Sequence, residues 1–200
     1  GGPMTKRGAN LIEGMSGSPV YINGKIAGAF AFGYPFGKEP IGMVTPIEYM
    51  LDAWDPTLPS KPSSFYPMST TDLDKPIAID GKNYDKVSID FGSNDQQPID
   101  GGTLVFRPLS TPLMVSGMSE RAISRLAESL RPLNIRPVAG PGQAADKTNL
   151  HVEVEPGAAI GCSFVSGDVD MTGVGTVTYR RGDKILAFGH PMFSNPMMNG

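Results

Sequence analysis

Cysteine, histidine and clustered charge are scarce in this 200-residue chain, and each scarcity removes a class of function. A single cysteine, Cys162, excludes an intrachain disulfide and any cysteine-based metal site. Its setting between Ala158 and Phe164 predicts a small residue buried in a strand. Only two histidines occur, His151 and His190, far apart and without patterned carboxylates around them, so no metal site and no cofactor are expected. No glycine-rich phosphate loop with its lysine is present. The net charge is −3 and no Lys/Arg run interrupts it, which argues against a nucleic-acid or anionic-membrane partner. No apolar run is long enough to cross a bilayer, so no membrane-spanning segment is expected. The chain opens on Gly1-Gly2-Pro3 with neither an initiator methionine nor a signal sequence, and composition leaves its compartment open.

What the chain has in quantity is punctuation, with 25 glycines and 19 prolines, a count that favours many short strands over long helices. Apolar runs on either side of Asn23-Gly24 predict a hairpin, because a type I′ turn needs positive φ at both central residues. Thr45-Pro46-Ile47-Glu48 reads as a capping box opening a short helix to about Trp54. Prolines 56, 59, 62, 67 and 76, with serines and threonines between them, predict an extended connector over 55–76. Period-two alternation at Lys86–Phe91, with Thr103–Phe106 and Pro112–Val115, adds strands. Ala122, Ile123, Leu126, Ala127 and Leu130 recur at helical spacing between Ser119, an N-cap candidate, and Pro132, with Arg121, Arg125 and Arg131 forming a solvated face. Strands return over Leu150–Glu155, Ala158–Val165, Gly173–Arg180 and Lys184–Phe188, the last two joined by a turn at Gly182-Asp183. The expected division is a β segment over 1–54, the connector, an α+β middle segment over 77–145, and a β segment over 146–200 that packs with 1–54.

Chemistry points first to Gly14-Met15-Ser16-Gly17-Ser18-Pro19. Glycines flanking a serine allow a sharp turn that exposes the hydroxyl and lets main-chain N–H groups converge. An acyl-transfer nucleophile needs that arrangement, since N–H donors fixed beside it stabilise charge developing on the carbonyl oxygen. The N–H groups of Gly14 and Ser16 are the candidate oxyanion donors. Ser16 also needs a base. His151 alternates with Leu150 and Val152 on the polar face of a predicted strand and reads as a solvated residue. His190 follows a strand end, Ala187-Phe188-Gly189, and is the base candidate. For the acid that orients the imidazole, Glu13, Asp168 and Asp170 stay open, whereas Asp183 reads as a turn residue.

Two blocks, Gly14–Ala29 and the run from Gly175-Thr176-Val177-Thr178-Tyr179 to Ala187-Phe188-Gly189-His190-Pro191, resemble the signatures of the SpoIVB-type serine peptidases, the sporulation stage IV protein B family. Thr45-Pro46-Ile47-Glu48 resembles the family's segment downstream of the serine, and the serine block is similar to the nucleophile loop of trypsin-like peptidases generally. The resemblance implies a serine endopeptidase with Ser16 as nucleophile and His190 as general base, a peptide or protein substrate, a mainly β, trypsin-like β-barrel fold, and an extracytoplasmic place in a bacterial cell envelope. In that family the histidine block precedes the serine block. Here the order is reversed, so the implied fold is permuted, with the helix-containing middle segment between the two blocks. The family's aspartate lies upstream of the serine, yet residues 1–15 contain none. A second reading follows from that gap: a catalytically incomplete peptidase-like domain with a peptide-binding, regulatory or structural role.

Overall fold

The computed structural model describes residues 14–34, 41–55, 70–90, 101–140 and 153–190. Within them the chain is mainly β, with strands β1 (Ser18–Ile22), β2 (Lys25–Gly33), β3 (Gly42–Pro46), β4 (Thr71–Ile79), β5 (Lys82–Ile89), β6 (Thr103–Pro108), β7 (Thr111–Ser116), β8 (Ile135–Ala139), β9 (Ala159–Val165), β10 (Asp170–Arg181) and β11 (Lys184–Ala187). Helices α1 (Ile47–Asp52) and α2 (Glu120–Leu130) are short. The strands form two sheets, neither closed into a barrel among the described residues. One runs β1-β2-β6-β5-β4 with β3 also on β2; the other runs β11-β10-β7-β8 with β9 also on β10.

Three tight turns set the register of three of the seven antiparallel pairings among the described strands. Asn23 and Gly24, both at positive φ (51° and 76°), close the β1–β2 hairpin as the sequence predicts. Asp80-Gly81, with φ of 49° and 76°, does the same for β4 and β5, and Gly182 turns β10 into β11. Two pairings are parallel, β5 with β6 and β7 with β8. The second of these needs a crossover, which α2 supplies. The Ser119 hydroxyl caps that helix by accepting from the Ala122 N–H at 3.3 Å. Ile123, Leu126 and Leu130 then pack onto Leu113, Val115 and Ile135, while Arg121, Arg125 and Arg131 face solvent.

The β1–β3 and α1 segment shares a core with the β10–β11 hairpin. Ala29 of β2, Ile47 and Met50 of α1 and Leu186 of β11 are buried together, with Trp54 and Tyr179 against them. Trp54 stacks on Tyr179 with ring centroids 6.0 Å apart, and its Nε1 donates to the Ile185 carbonyl at 3.2 Å. The Arg181 guanidinium lies 4.7 Å from the indole centroid. A separate cluster, Ala31, Phe32, Ile79, Tyr84, Ile89, Leu104 and Phe106, lies entirely on the β1-β2-β6-β5-β4 sheet. The middle segment is divided between both sheets: β5 and β6 join β1–β3, and β7 and β8 join β9–β11.

Several expectations are corrected. Of the connector expected over 55–76, Thr71–Pro76 is strand in β4, and residues 56–69 lie outside the described residues. Pro76 is tolerated there because β4 is an edge strand with a register irregularity between Asp72 and Ile77, where no ladder N–H is needed. Cys162 is in a strand but exposed, since β9 pairs with β10 alone among the described strands. Residues 153–155 are irregular rather than strand, and 150–152 lie outside the described residues. The Thr45 capping box does not form: α1 begins after Pro46 with no side-chain cap, and Thr45 belongs to β3.

Candidate functional site

Ser16 enters the fold on a turn whose two glycines carry the unusual backbone angles, Gly14 at φ 86° and Gly17 at φ 94°. The Ser18 N–H closes the turn on the Met15 carbonyl at 2.9 Å. Because that peptide is trans, the N–H of Ser16 points the opposite way, out of the turn. The N–H of Gly14, the other expected oxyanion donor, shares its peptide with residue 13, outside the described residues. Gly17 cannot carry a side chain: a Cβ there would stand 2.5 Å from the Phe188 nitrogen and closer still to the Thr176 carbonyl oxygen.

Strand β10 holds this turn by its carbonyls. The Thr176 hydroxyl donates to Gly14 O at 2.9 Å, the Thr176 N–H to Ser16 O at 2.9 Å, and the Thr178 hydroxyl to Gly17 O at 2.7 Å. Thr176 and Thr178 can both reach because side chains two apart in a strand share a face, while Val177 between them is fully buried on the other.

His190 is carried by a second turn, at the end of β11. Phe188 and Gly189 both have positive φ, 70° and 67°, and the His190 N–H donates to Phe188 O at 2.8 Å. That i to i+2 bond makes a γ-turn centred on Gly189, a rare conformation for which the absence of a Cβ is needed. Phe188 has a Cβ and still adopts positive φ, at a cost of about 1–2 kcal/mol that the surroundings must hold. They do so by packing. The Phe188 ring lies against Gly175, its N–H donates to Thr176 O at 3.3 Å, and the Thr45 hydroxyl donates to Gly189 O at 2.5 Å.

The two turns meet. The Ser16 hydroxyl donates to the Phe188 carbonyl, the same oxygen that accepts the His190 N–H. Ser16 is 1% exposed and His190 8%, with Nε2 of the imidazole shut off from solvent and the ring beside Phe32 at a centroid distance of 6.3 Å. The hydroxyl therefore faces a backbone acceptor, one residue-turn away from the imidazole.

Of the acid candidates, Asp168 is not brought to this place. It is exposed, beyond the start of β10, while Thr176 beside Ser16 is six residues into that strand, roughly 20 Å away at strand rise. Asp170 is engaged locally, accepting from Ser116 Oγ at 3.4 Å and from the Gly167 N–H at 3.2 Å. Asp183 is exposed in the β10–β11 turn. Glu13 and His151 lie outside the described residues. No group of three or more His, Cys, Asp or Glu among the described residues could hold a metal ion, and no described helix is long and apolar enough to cross a membrane.

Thr45, Thr176 and Thr178 each hold a carbonyl of one of the two turns; from sequence Thr176 and Thr178 have no assigned role, and Thr45 reads only as a helix cap. The alternation Thr176-Val177-Thr178 carries a signal for two of them, as a polar face presented by an otherwise apolar strand. Compared with protein-family models, with curated proteins and with solved structures, the chain finds no match. The geometry around Ser16 and His190 therefore bears the functional reading by itself.

Proposed function

We propose that the protein is a serine endopeptidase of SpoIVB-related, permuted trypsin-like type, acting on an extended peptide or protein in the bacterial cell envelope. The observation that supports it is the shared Phe188 carbonyl, which sets Ser16 and His190 on adjoining turns although 174 residues separate them in sequence. In this reading Ser16 Oγ turns from the Phe188 carbonyl toward the imidazole and attacks the scissile carbonyl carbon. Its proton passes to His190, and the N–H of Ser16 donates to the oxyanion. The C–N bond then breaks, the imidazolium gives its proton to the departing amine, and an ester to Ser16 remains. Water, deprotonated by His190, hydrolyses that ester and restores the hydroxyl.

A second reading has its own support. Burial of Ser16, its hydroxyl held by a backbone carbonyl, and the distance of Asp168 favour a peptidase-like domain that binds or regulates without cleaving. A fluorophosphonate probe separates the two. Labelling at Ser16, mapped by mass spectrometry and lost in Ser16→Ala and His190→Ala, supports the peptidase. A folded protein that takes up no probe at Ser16 across neutral and alkaline pH supports the second reading.

A further inference from the structure

We propose that Thr45 is a positioning residue for His190, acting through the Gly189 carbonyl; this rests on the reading of Ser16 and His190 as nucleophile and base. Three consecutive peptide units lead into His190, and each is tied. The Phe188 N–H donates to Thr176 O at 3.3 Å, the Phe188 carbonyl accepts from Ser16 Oγ and from the His190 N–H, and the Gly189 carbonyl accepts from Thr45 Oγ1 at 2.5 Å. These ties are not equivalent during a reaction. Ser16 must leave the Phe188 carbonyl before it can attack anything, and the Thr176 bond is at the long end of the hydrogen-bond range. Thr45 keeps its hold on the turn when Ser16 lets go.

The seat behind that hold is rigid. Thr45 is 5% exposed and pairs with Ala29 across the β2–β3 ladder, so its backbone is fixed by a sheet rather than a loop. A β-branched side chain on such a backbone has few χ1 choices, which aims the hydroxyl before the turn arrives. Ala29 and Ala31, both fully buried, form the floor beneath Gly189: a Cβ at Gly189 would stand 2.9 Å and 3.2 Å from theirs. Gly189 is thus held from below by two methyl groups and from the side by one hydroxyl. A base displaced by even 1 Å from its working position loses on the order of a hundredfold in rate, so a tie of this kind has a catalytic reading as well as a structural one.

The test compares Thr45→Val, which keeps the shape and removes the donor, with Thr45→Ser, which keeps the donor. Two readouts are used: the rate of fluorophosphonate labelling at Ser16, and the imidazole signals of His190 in nitrogen-15 histidine NMR, distinguished from those of His151 with His151→Gln. The expected result is that Thr45→Val slows labelling about tenfold and shifts the His190 signals, and that Thr45→Ser restores both. If Thr45→Val does not fold, Thr45→Cys, a weaker donor of similar size, takes its place. Folded Thr45→Val with unchanged labelling and unchanged His190 signals overturns the proposal. Should the parent protein not label at all, the peptidase reading fails, and the NMR arm still decides: shifted signals rescued by Thr45→Ser uphold the positioning of His190, and unmoved signals overturn it.

Discussion

Gly17 presses so closely on Phe188 that a Cβ on the glycine would stand 2.5 Å from the Phe188 nitrogen, with its own φ at 94°. Neither the strand behind it nor the turn above it is a flexible side chain that could move aside. Gly17→Ala is therefore expected to cost about 3 kcal/mol or more, from backbone strain and overpacking together. Gly24→Ala is the control. Its φ is 76° but nothing lies within 4 Å of the added methyl, so only the backbone term of about 1 kcal/mol applies. Urea denaturation of the two variants measures the difference, and equal losses would mean that the Ser16 turn is not seated against β10.

Ser16→Ala separates chemistry from folding. The Phe188 carbonyl loses one donor but keeps the His190 N–H at 2.8 Å, so no buried acceptor is orphaned. A loss of about 1 kcal/mol or less is expected in stability, together with complete loss of fluorophosphonate labelling. Thermal unfolding and probe uptake on the same sample check both.

Asp168→Asn should leave labelling within about twofold of the parent, because an exposed residue roughly 20 Å up β10 interacts weakly with the site through a Debye length near 10 Å. A large drop would show that Asp168 reaches His190 in a state other than this one.

Tyr34 and Tyr84 meet hydroxyl to hydroxyl at 3.1 Å. That hydrogen bond, aided by burial, pushes the Tyr34 phenol up to about 12 from its ordinary 10.0. A phenol that holds its proton longer when folded contributes stability that is fully present below pH 10 and is lost as pH rises toward 12. Unfolding measured between those two pH values should show a steeper fall for the parent than for Tyr84→Phe, in which the main cause of the shift is gone.

Trp54, the chain's single tryptophan, reports on the seam between α1 and the β10–β11 hairpin. Its fluorescence should change in the same denaturant transition as the far-ultraviolet circular dichroism, because Ala29, Met50 and Leu186 bury one another across that seam. Trp54→Ala, which removes the stack on Tyr179 and the bond to Ile185 O, should cost about 2–3 kcal/mol.

What was legible in the sequence is what local chemistry decides. Asn23-Gly24 favours positive φ by its own local chemistry, and Ser119 caps a helix whose apolar stripe is complete within eleven residues. The Asp80-Gly81 turn carries the same signal, but Pro76 just before it argues against a strand until β4 is known to be an edge. Thr45 shows the limit of a local motif. Followed by Pro46, Ile47 and Glu48 it reads as a cap, yet its hydroxyl goes to Gly189, 144 residues away, a partner no window of sequence contains. The parallel pairs β5–β6 and β7–β8 are hidden for the same reason, as is the exposure of Cys162, which depends on β9 having a neighbour on one side among the described strands. The meeting of Ser16 with the His190 turn was expected from two distant blocks, but the choice of a backbone carbonyl as the hydroxyl's partner was not.

The contact between Ser16 and Phe188 closes a loop of 172 residues. Closing so long a loop costs entropy that only other contacts can offset, so hairpins such as β1–β2 and β4–β5 can form early while this junction waits for β10 and β11 to exist. A ribosome that has released the Ser16 segment but not yet the strand carrying Thr176 and Thr178 holds a chain with a loose glycine turn and no partner for its hydroxyl. Whatever chemistry Ser16 carries is thereby timed: it cannot be assembled before β10 and β11 exist, and completion of that hairpin is the event that joins the two turns.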